Sequence, residues 1–155
     1  LAGGSAFTWP SLARDLGDLV NGIYSTDNFV NDQSYAVNND EFMEISKQYE
    51  DTYGDFLSGQ GGPTAICTML VLDMVDQLKT TDRTAIRDGI FAATSESNKW
   101  MATFNGENNI VDENGHNAGA TPIVLQWQDG RPTCVYPTAS ANSPILDPNT
   151  LQPYQ

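Results

Sequence analysis

The sequence predicts an α/β fold, and three observations point there. Three helical segments follow one another through the middle of the 155-residue chain. After "SESNKW" the hydrophobic pattern changes to period two. The Asp129-Gly130 pair then joins two strand-like runs, which is the chemistry of a tight hairpin. The expected architecture is therefore three helices plus a C-terminal β-hairpin, preceded by short strands. Hydrophobic residues make up 39% of the chain, enough for the packed core of one domain of ordinary size.

In chain order, "LAGGSAF" reads as the end of a buried strand running into a Gly-rich loop. "TWPSLARDLG" follows as a short helix, with Pro10 suited to its first turn and Gly17 to its end. "NGIYST" gives a short strand over 22–26, and a polar connection without periodicity runs from Asp27 to Asn39. "NDEFMEISKQYEDTYG" is the first long helix. Asn39 or Asp40 caps it, acids crowd its first turn, Gly54 stops it, and Phe42, Ile45, Tyr49 and Tyr53 share one face. "PTAICTMLVLDMVDQL" starts at Pro63 and is apolar almost all round, so it should be buried on most sides. "TTDRTAIRDGIFAAT" has Thr80 or Thr81 as its cap and Ile86, Ile90 and Ala93 on one stripe. "TPIVLQW" and "TCVYP" are the hairpin strands, and the proline-rich tail "TASANSPILDPNTLQPYQ" wraps the surface.

Twenty acids against seven bases leave a formal net charge of -13. That balance argues against nucleic acid and against anionic membrane surfaces, both of which attract basic patches. The two cysteines, Cys67 and Cys134, form no metal-spaced pair. Buried free thiols are expected, with a disulfide as the alternative. The longest apolar stretch, around Ala65–Leu78, contains Asp73 and Asp76 and is too short to cross a bilayer. The strands on offer are too few to cover so apolar a helix, and Leu1 is no initiator methionine. The expectation is that this chain is part of a longer one.

Catalytic and metal chemistry find little support. "NNIVDENGHNAG" gathers Asp112, Glu113, Asn114, Gly115 and the single histidine, His116. An EF-hand with Gly115 at its sixth position would need ligands at Ile110 and Thr121, and neither is one. Zinc needs further Cys, His or carboxylate ligands in register. A tight turn over Asp112–Gly115 fits better. With His116 on that turn, a Ser/His/Asp or Cys/His arrangement is disfavoured, and no GxSxG, P-loop or GxGxxG is present. No enzyme activity, no cofactor and no metal are expected.

The order of pieces carries a resemblance. "KQYEDTYG", a buried helix, "TTDRTAIRDGI", "VDENGHN" and "IVLQWQDGRPTCVYP" together resemble the C-terminal part of the branched-chain amino acid class of ABC-transporter substrate-binding proteins, the periplasmic binding protein type I family. The upstream "GGSAFTWPSLARDLGDLVNGIYST" is similar to the family's preceding segment. The chain departs from the family pattern at Val111, Asn108 and Thr68, which leaves the ligand open.

The resemblance implies a two-lobe α/β fold with the ligand held between lobes. Residues 1–155 would form its C-terminal part, with 1–20 and about 112–155 in the second lobe. About 34–100 would be helices of the first lobe, and about 21–33 and 101–111 would cross between them. It further implies an extracytoplasmic protein, periplasmic or extracellular, with a lipid anchor carried on an upstream N-terminus. Such a protein takes a small polar solute, an amino acid or related amide, and delivers it to an ABC permease; its other partner would be the missing N-terminal part of the same protein. Gly4, Ser5 and Ala6 follow a strand end, where α/β sheets place their ligands. Ser5 would donate its hydroxyl and Gly4 would allow close backbone approach, unless "GGSA" is simply a flexible loop. Phe7 packs either on the solute or in the core, and Thr68 faces either the cleft or its own helix. Two other roles stay open: the ligand-sensing domain of a receptor or regulator with the same fold, and a secreted acidic enzyme or structural fragment.

Overall fold

The computed structural model describes residues 2–31, 39–103 and 110–154. Parts of the expected connections over 27–39 and 101–111 lie outside the described residues.

The chain opens with a short strand, β1 (Ala2–Gly3), a 3-10 turn at Ser5–Thr8 and helix α1 (Pro10–Leu16). Pro10 occupies the first helical position, where its missing N–H is not needed. Gly17 ends the helix at a positive φ of 54°. Strand β2 (Tyr24–Asp27) then pairs parallel with β1. After the helices, β3 (Ile123–Gln128) and β4 (Arg131–Tyr136) complete a sheet of order β1-β2-β3-β4, with β2–β3 and β3–β4 antiparallel. The β3–β4 turn is the expected Asp129-Gly130 pair, both at positive φ (51° and 76°), as a tight two-residue hairpin requires.

Among the described residues four helices lie between β2 and β3: α2 (Asp40–Tyr53), α3 (Gly61–Leu78), α4 (Arg83–Ala92) and the short α5 (Lys99–Ala102). Asn39 caps α2 by accepting from the Phe42 N–H at 3.0 Å, and Gly54 closes it in the left-handed region. The cap of α4 is Asp82, which accepts from the Ala85 N–H at 2.8 Å. Thr80, one of the two expected caps, instead accepts from the Asp82 N–H. A carboxylate one residue before the helix reaches its free N–H groups better than a threonine further upstream. The short α5 was not expected. Asn98 builds it by accepting from the N–H groups of Trp100 and Met101, and its own amide donates to Asp73 at 2.6 Å.

One further expectation is refined and one is corrected. On α2 the buried residues are Phe42 and Ser46, one turn apart, while Tyr49 and Tyr53 stack on each other at the surface with centroids 4.8 Å apart. On α3 only the stripe Gly62, Ile66, Leu70 and Met74 is buried. Its opposite side leaves Val71 at 42% and Leu72 at 53% exposed, so the helix is not covered on most sides.

The core is divided. Phe29, Phe42, Leu57, Ile66, Leu70, Trp100 and Met101 pack among the helices. Val30, Ile123, Leu125 and Cys134 form a second cluster and Val20, Phe56 and Trp127 a third, both on the sheet side. Adjacent residues stitch these together. Phe29 enters the helical core while Val30 enters the sheet's, and Phe56 enters the sheet's while Leu57 enters the helical one. Gly62 is glycine because a Cβ there would overlap the Phe29 ring.

The proline-rich tail is fastened rather than draped. Gln126, fully buried in β3, donates to the Leu146 carbonyl at 2.7 Å and accepts from its N–H at 2.8 Å. Gln128, on the same face, donates to the Pro144 carbonyl and accepts from the Ser143 hydroxyl. The two side chains act as one more rung of backbone pairing. No helix among the described residues is long and apolar enough to cross a membrane.

Candidate functional site

The expected turn at residues 112–116 is a turn built around one carboxylate. Asp112 accepts from the N–H groups of Asn114 and His116, both at 2.8 Å, and its own N–H donates to the His116 carbonyl. Those backbone donors, first that of His116, hold the Asp112 carboxyl below the ordinary carboxylate range. Gly115 supplies the positive φ of 84°. One oxygen of the acid, Oδ1, is therefore committed to its own loop.

A different arrangement forms where β1 ends. Gly4 and Ala6 are exposed and Ser5 is half-buried. The N–H groups of Ser5 and Ala6 stand at the start of the 3-10 turn, where no acceptor exists within the turn. Three anchors fix this loop from behind. The Ser25 hydroxyl donates to the Gly4 carbonyl at 3.0 Å, and the Trp127 indole N–H donates to the Phe7 carbonyl at 2.6 Å. The buried Thr8 hydroxyl donates to the Ser5 carbonyl at 2.6 Å.

Thr8 also links the loop to the helices. Its Oγ accepts from the Gly59 N–H at 3.2 Å and lies 3.3 Å from Asp27 Oδ2. Burial pushes the Asp27 carboxyl above the ordinary carboxylate range, although the Asn28 N–H and the Ser5 and Thr8 hydroxyls favour its anion. A Cβ at Gly59 would overlap both the Asp27 carboxylate and the Thr8 hydroxyl, so only glycine allows this approach.

Beside this junction lies a groove of about 660 Å³, walled by Trp9 and Pro10 on one side and by Tyr49, Phe56, Gly61 and Ala65 on the other. Asp55, Ser58, Gln60 and Thr64 add polar atoms to it. Trp9 is 45% exposed beside the strand-end loop, a large apolar surface left open to water. Sequence reasoning found the loop and missed Trp9, Tyr49 and the 55–65 wall. Two signals were available: an aromatic directly before a helix-opening proline, and a Ser-Gly-Gln-Gly-Gly run at the mouth of an apolar helix.

The five residues singled out from the sequence do not form one cluster. Gly4, Ser5, Ala6 and Phe7 lie together at the end of β1, and the Phe7 ring packs over Gly3. Thr68 lies apart on the outer side of α3, its hydroxyl donating to the Thr64 carbonyl at 2.8 Å. Cys67 is exposed on that same side, against the expectation of a buried thiol, beside the equally exposed Thr68 and Val71. Cys134 is buried, and neither cysteine is in a disulfide. Among the described residues no group of three or more His, Cys, Asp or Glu side chains is placed to hold a metal ion.

Comparison with known proteins matches these pieces in order along nearly the whole chain. Over 150 residues the chain is 29% identical to Leu/Ile/Val-binding protein homolog 7 of Brucella suis, and equally to that of Brucella abortus. The chain is a distant homologue of Leu/Ile/Val-binding proteins. The alignment takes in 95% of this chain but 36% of each relative, so the chain spans about a third of the length of the relatives it matches. No family model matches. Two solved structures share the fold over 86% of the chain, each with a TM-score of 0.59. One is a leucine-binding protein from Thermotoga maritima (21% identity, 35% of its length). The other is a branched-chain amino acid ABC transporter from Thermus thermophilus with bound valine (16% identity, 37% of its length).

Proposed function

We propose that the chain is the C-terminal part of a two-lobe solute-binding protein that captures a small polar solute, an amino acid or related amide, outside the cytoplasm. It hands that solute to an ABC permease in the membrane. The observation that carries this reading is the pairing of two surfaces at one place. An anchored strand-end loop opens a 3-10 turn whose first N–H groups have no acceptor within the turn, and next along the chain Trp9 and Pro10 line an apolar groove. N–H groups suit a carboxylate or carbonyl, and the groove suits an apolar body. The relatives' names support the same class of ligand.

In this reading residues 1–20 and about 112–155 belong to the second lobe, about 34–100 to the first, and about 21–33 and 101–111 pass between them. The bare side of α3, with Thr68, Val71 and Leu72, then packs on first-lobe chain that lies upstream. Gly4, Ser5 and Ala6 meet the polar end of the solute, and Trp9 with Tyr49 meets its apolar end. Phe7 acts as packing for Gly3 rather than as a direct contact. The role is capture without turnover.

The test is calorimetric titration of the full-length protein with L-valine, L-leucine and isobutyramide. At least one should bind, and Trp9→Ala should weaken it by about tenfold or more, the loss of one well-packed aromatic contact. Absence of heat with all three, or binding indifferent to Trp9→Ala, would remove the groove from the account.

A further inference from the structure

Outside residues 40–103 the sequence holds two bases, Arg14 and Arg131, in a chain with twenty acids. Acids lie close to them in sequence, Asp15 and Asp18 near the one and Asp129 near the other. Neither arginine pairs with these. Arg14, on α1, binds Asp55, and Arg131, on β4, binds Glu50. Both acids lie at the end of α2 and the start of the α2–α3 loop, so the two ion pairs span the boundary between sheet and helices.

The same loop is held there by two other contacts. Phe56 is inserted against Trp127 with ring centroids 6.1 Å apart, and the Arg131 guanidinium lies over the Phe56 ring at 5.4 Å. Gly59 is bonded to Thr8. An apolar plug thus has a charged rim on both flanks, and the segment it fixes, 55–61, is one wall of the groove.

We infer that Arg14 and Arg131 are positioning residues: an ionic clamp that sets the groove's wall against the strand-end loop. The inference rests on the groove being the binding site. Both pairs are partly open to water, with arginine side chains 59% and 50% exposed. Salt therefore reaches and weakens them. Affinity for a ligand with no charge of its own should then fall as ionic strength rises, because the wall loosens and not because the ligand is screened.

The test uses the full-length protein and two readouts. The first is hydrogen exchange at the Gly59 amide and across 54–62 without ligand, at about 0.02 M and 1 M salt, where the screening length shortens to about 3 Å. Exchange in the wild type should rise about two- to fivefold with salt, the range expected of exposed ion pairs. Arg14→Gln with Arg131→Gln should exchange fast at both salts, and the exchanged pair Arg14→Asp with Asp55→Arg should restore protection at the first site. The second readout is isobutyramide affinity over the same salt range, which should fall in the wild type and stay flat in the double glutamine variant. Exchange at 54–62 that ignores both salt and the variants would overturn the clamp. If exchange responds as expected while isobutyramide and valine both fail to bind, the clamp stands and the assignment of the groove as a binding site falls.

Discussion

The sheet side and the helical side of this molecule treat apolar surface differently. Ile123, Leu125, Trp127 and Cys134 are 0–1% exposed, and the far face of β3 is closed by Gln126, Gln128 and the tail. Among the long helices α2 and α3 bury one stripe each, α4 fully buries no residue, and Val71, Leu72, Leu78 and Phe91 stay 41–53% exposed. Composition does not explain the contrast, since α3 is the more continuously apolar segment. What differs is the number of layers present. The sheet has α1 on one face and a strapped tail on the other, and what this side leaves open lies away from β3, at Leu19 (80%), Tyr136 (58%) and Tyr154 (60%). Helices without a sheet beneath them bury one face on each other and expose the rest. The difference teaches that β3 is covered on both faces by this chain while the helices are covered on one side only, in a chain that spans 36% of its relatives' length.

Substitution should reproduce that contrast, and the largest effect belongs to the covered strand β3. Trp127→Ala removes a fully buried ring, its contact with Phe56 and the hydrogen bond to the Phe7 carbonyl. It should cost about 3–5 kcal/mol in urea unfolding of the full-length protein. On the helical side, Leu72→Ala should cost about 2–4 kcal/mol if upstream chain covers α3, and under about 0.5 kcal/mol if that face meets water. The first value is expected.

A smaller effect separates the two acids that the structure treats in opposite ways. Burial raises the Asp27 pKa, so the folded protein holds that proton more tightly than the unfolded chain does. Its contribution to stability is complete below the ordinary aspartate range and is lost as pH rises through the raised folded value. Asp112 has the opposite sign: its lowered pKa stabilises above the ordinary range, and the gain is lost as pH falls. Unfolding midpoints across the acid-to-neutral range should show Asp27→Asn flattening the decline on the upper side of the carboxylate range. Asp112→Asn should flatten only the acid limb. Identical profiles for the two variants would mean that burial does not govern Asp27.

Much of this fold was readable in the residues, because local chemistry decides it. Pro10 and Gly17 mark one helix, Asn39 and Gly54 another, and Asp129-Gly130 the hairpin. The 112–116 turn was equally legible, since an aspartate followed three residues later by glycine closes on itself. Long-range geometry was not. Nothing local says that Gly59 must approach Asp27, that Gln126 pairs with Leu146, or that Trp9 stands beside Tyr49. Half of the candidate site was found because a strand end is a local signal. Its other wall was missed because residues 55–65 come to it through tertiary packing alone. The reading of α3 as buried on most sides followed its apolar composition, but composition does not say how many neighbours a helix has, and among the described residues only one stripe of it is covered.

The central claim is that further chain closes the outer side of α3, and Cys67 reports on it directly. Its thiol lies on that side, while Cys134 is buried within the sheet and serves as an internal reference. The measurement is the rate at which a small maleimide labels each cysteine of the full-length protein, native and in urea, resolved by peptide mass. The account predicts that native Cys67 is protected nearly as well as Cys134 and that urea releases both. Native labelling of Cys67 at its urea rate, with Cys134 still protected, would show the face open to water and contradict the two-lobe reading.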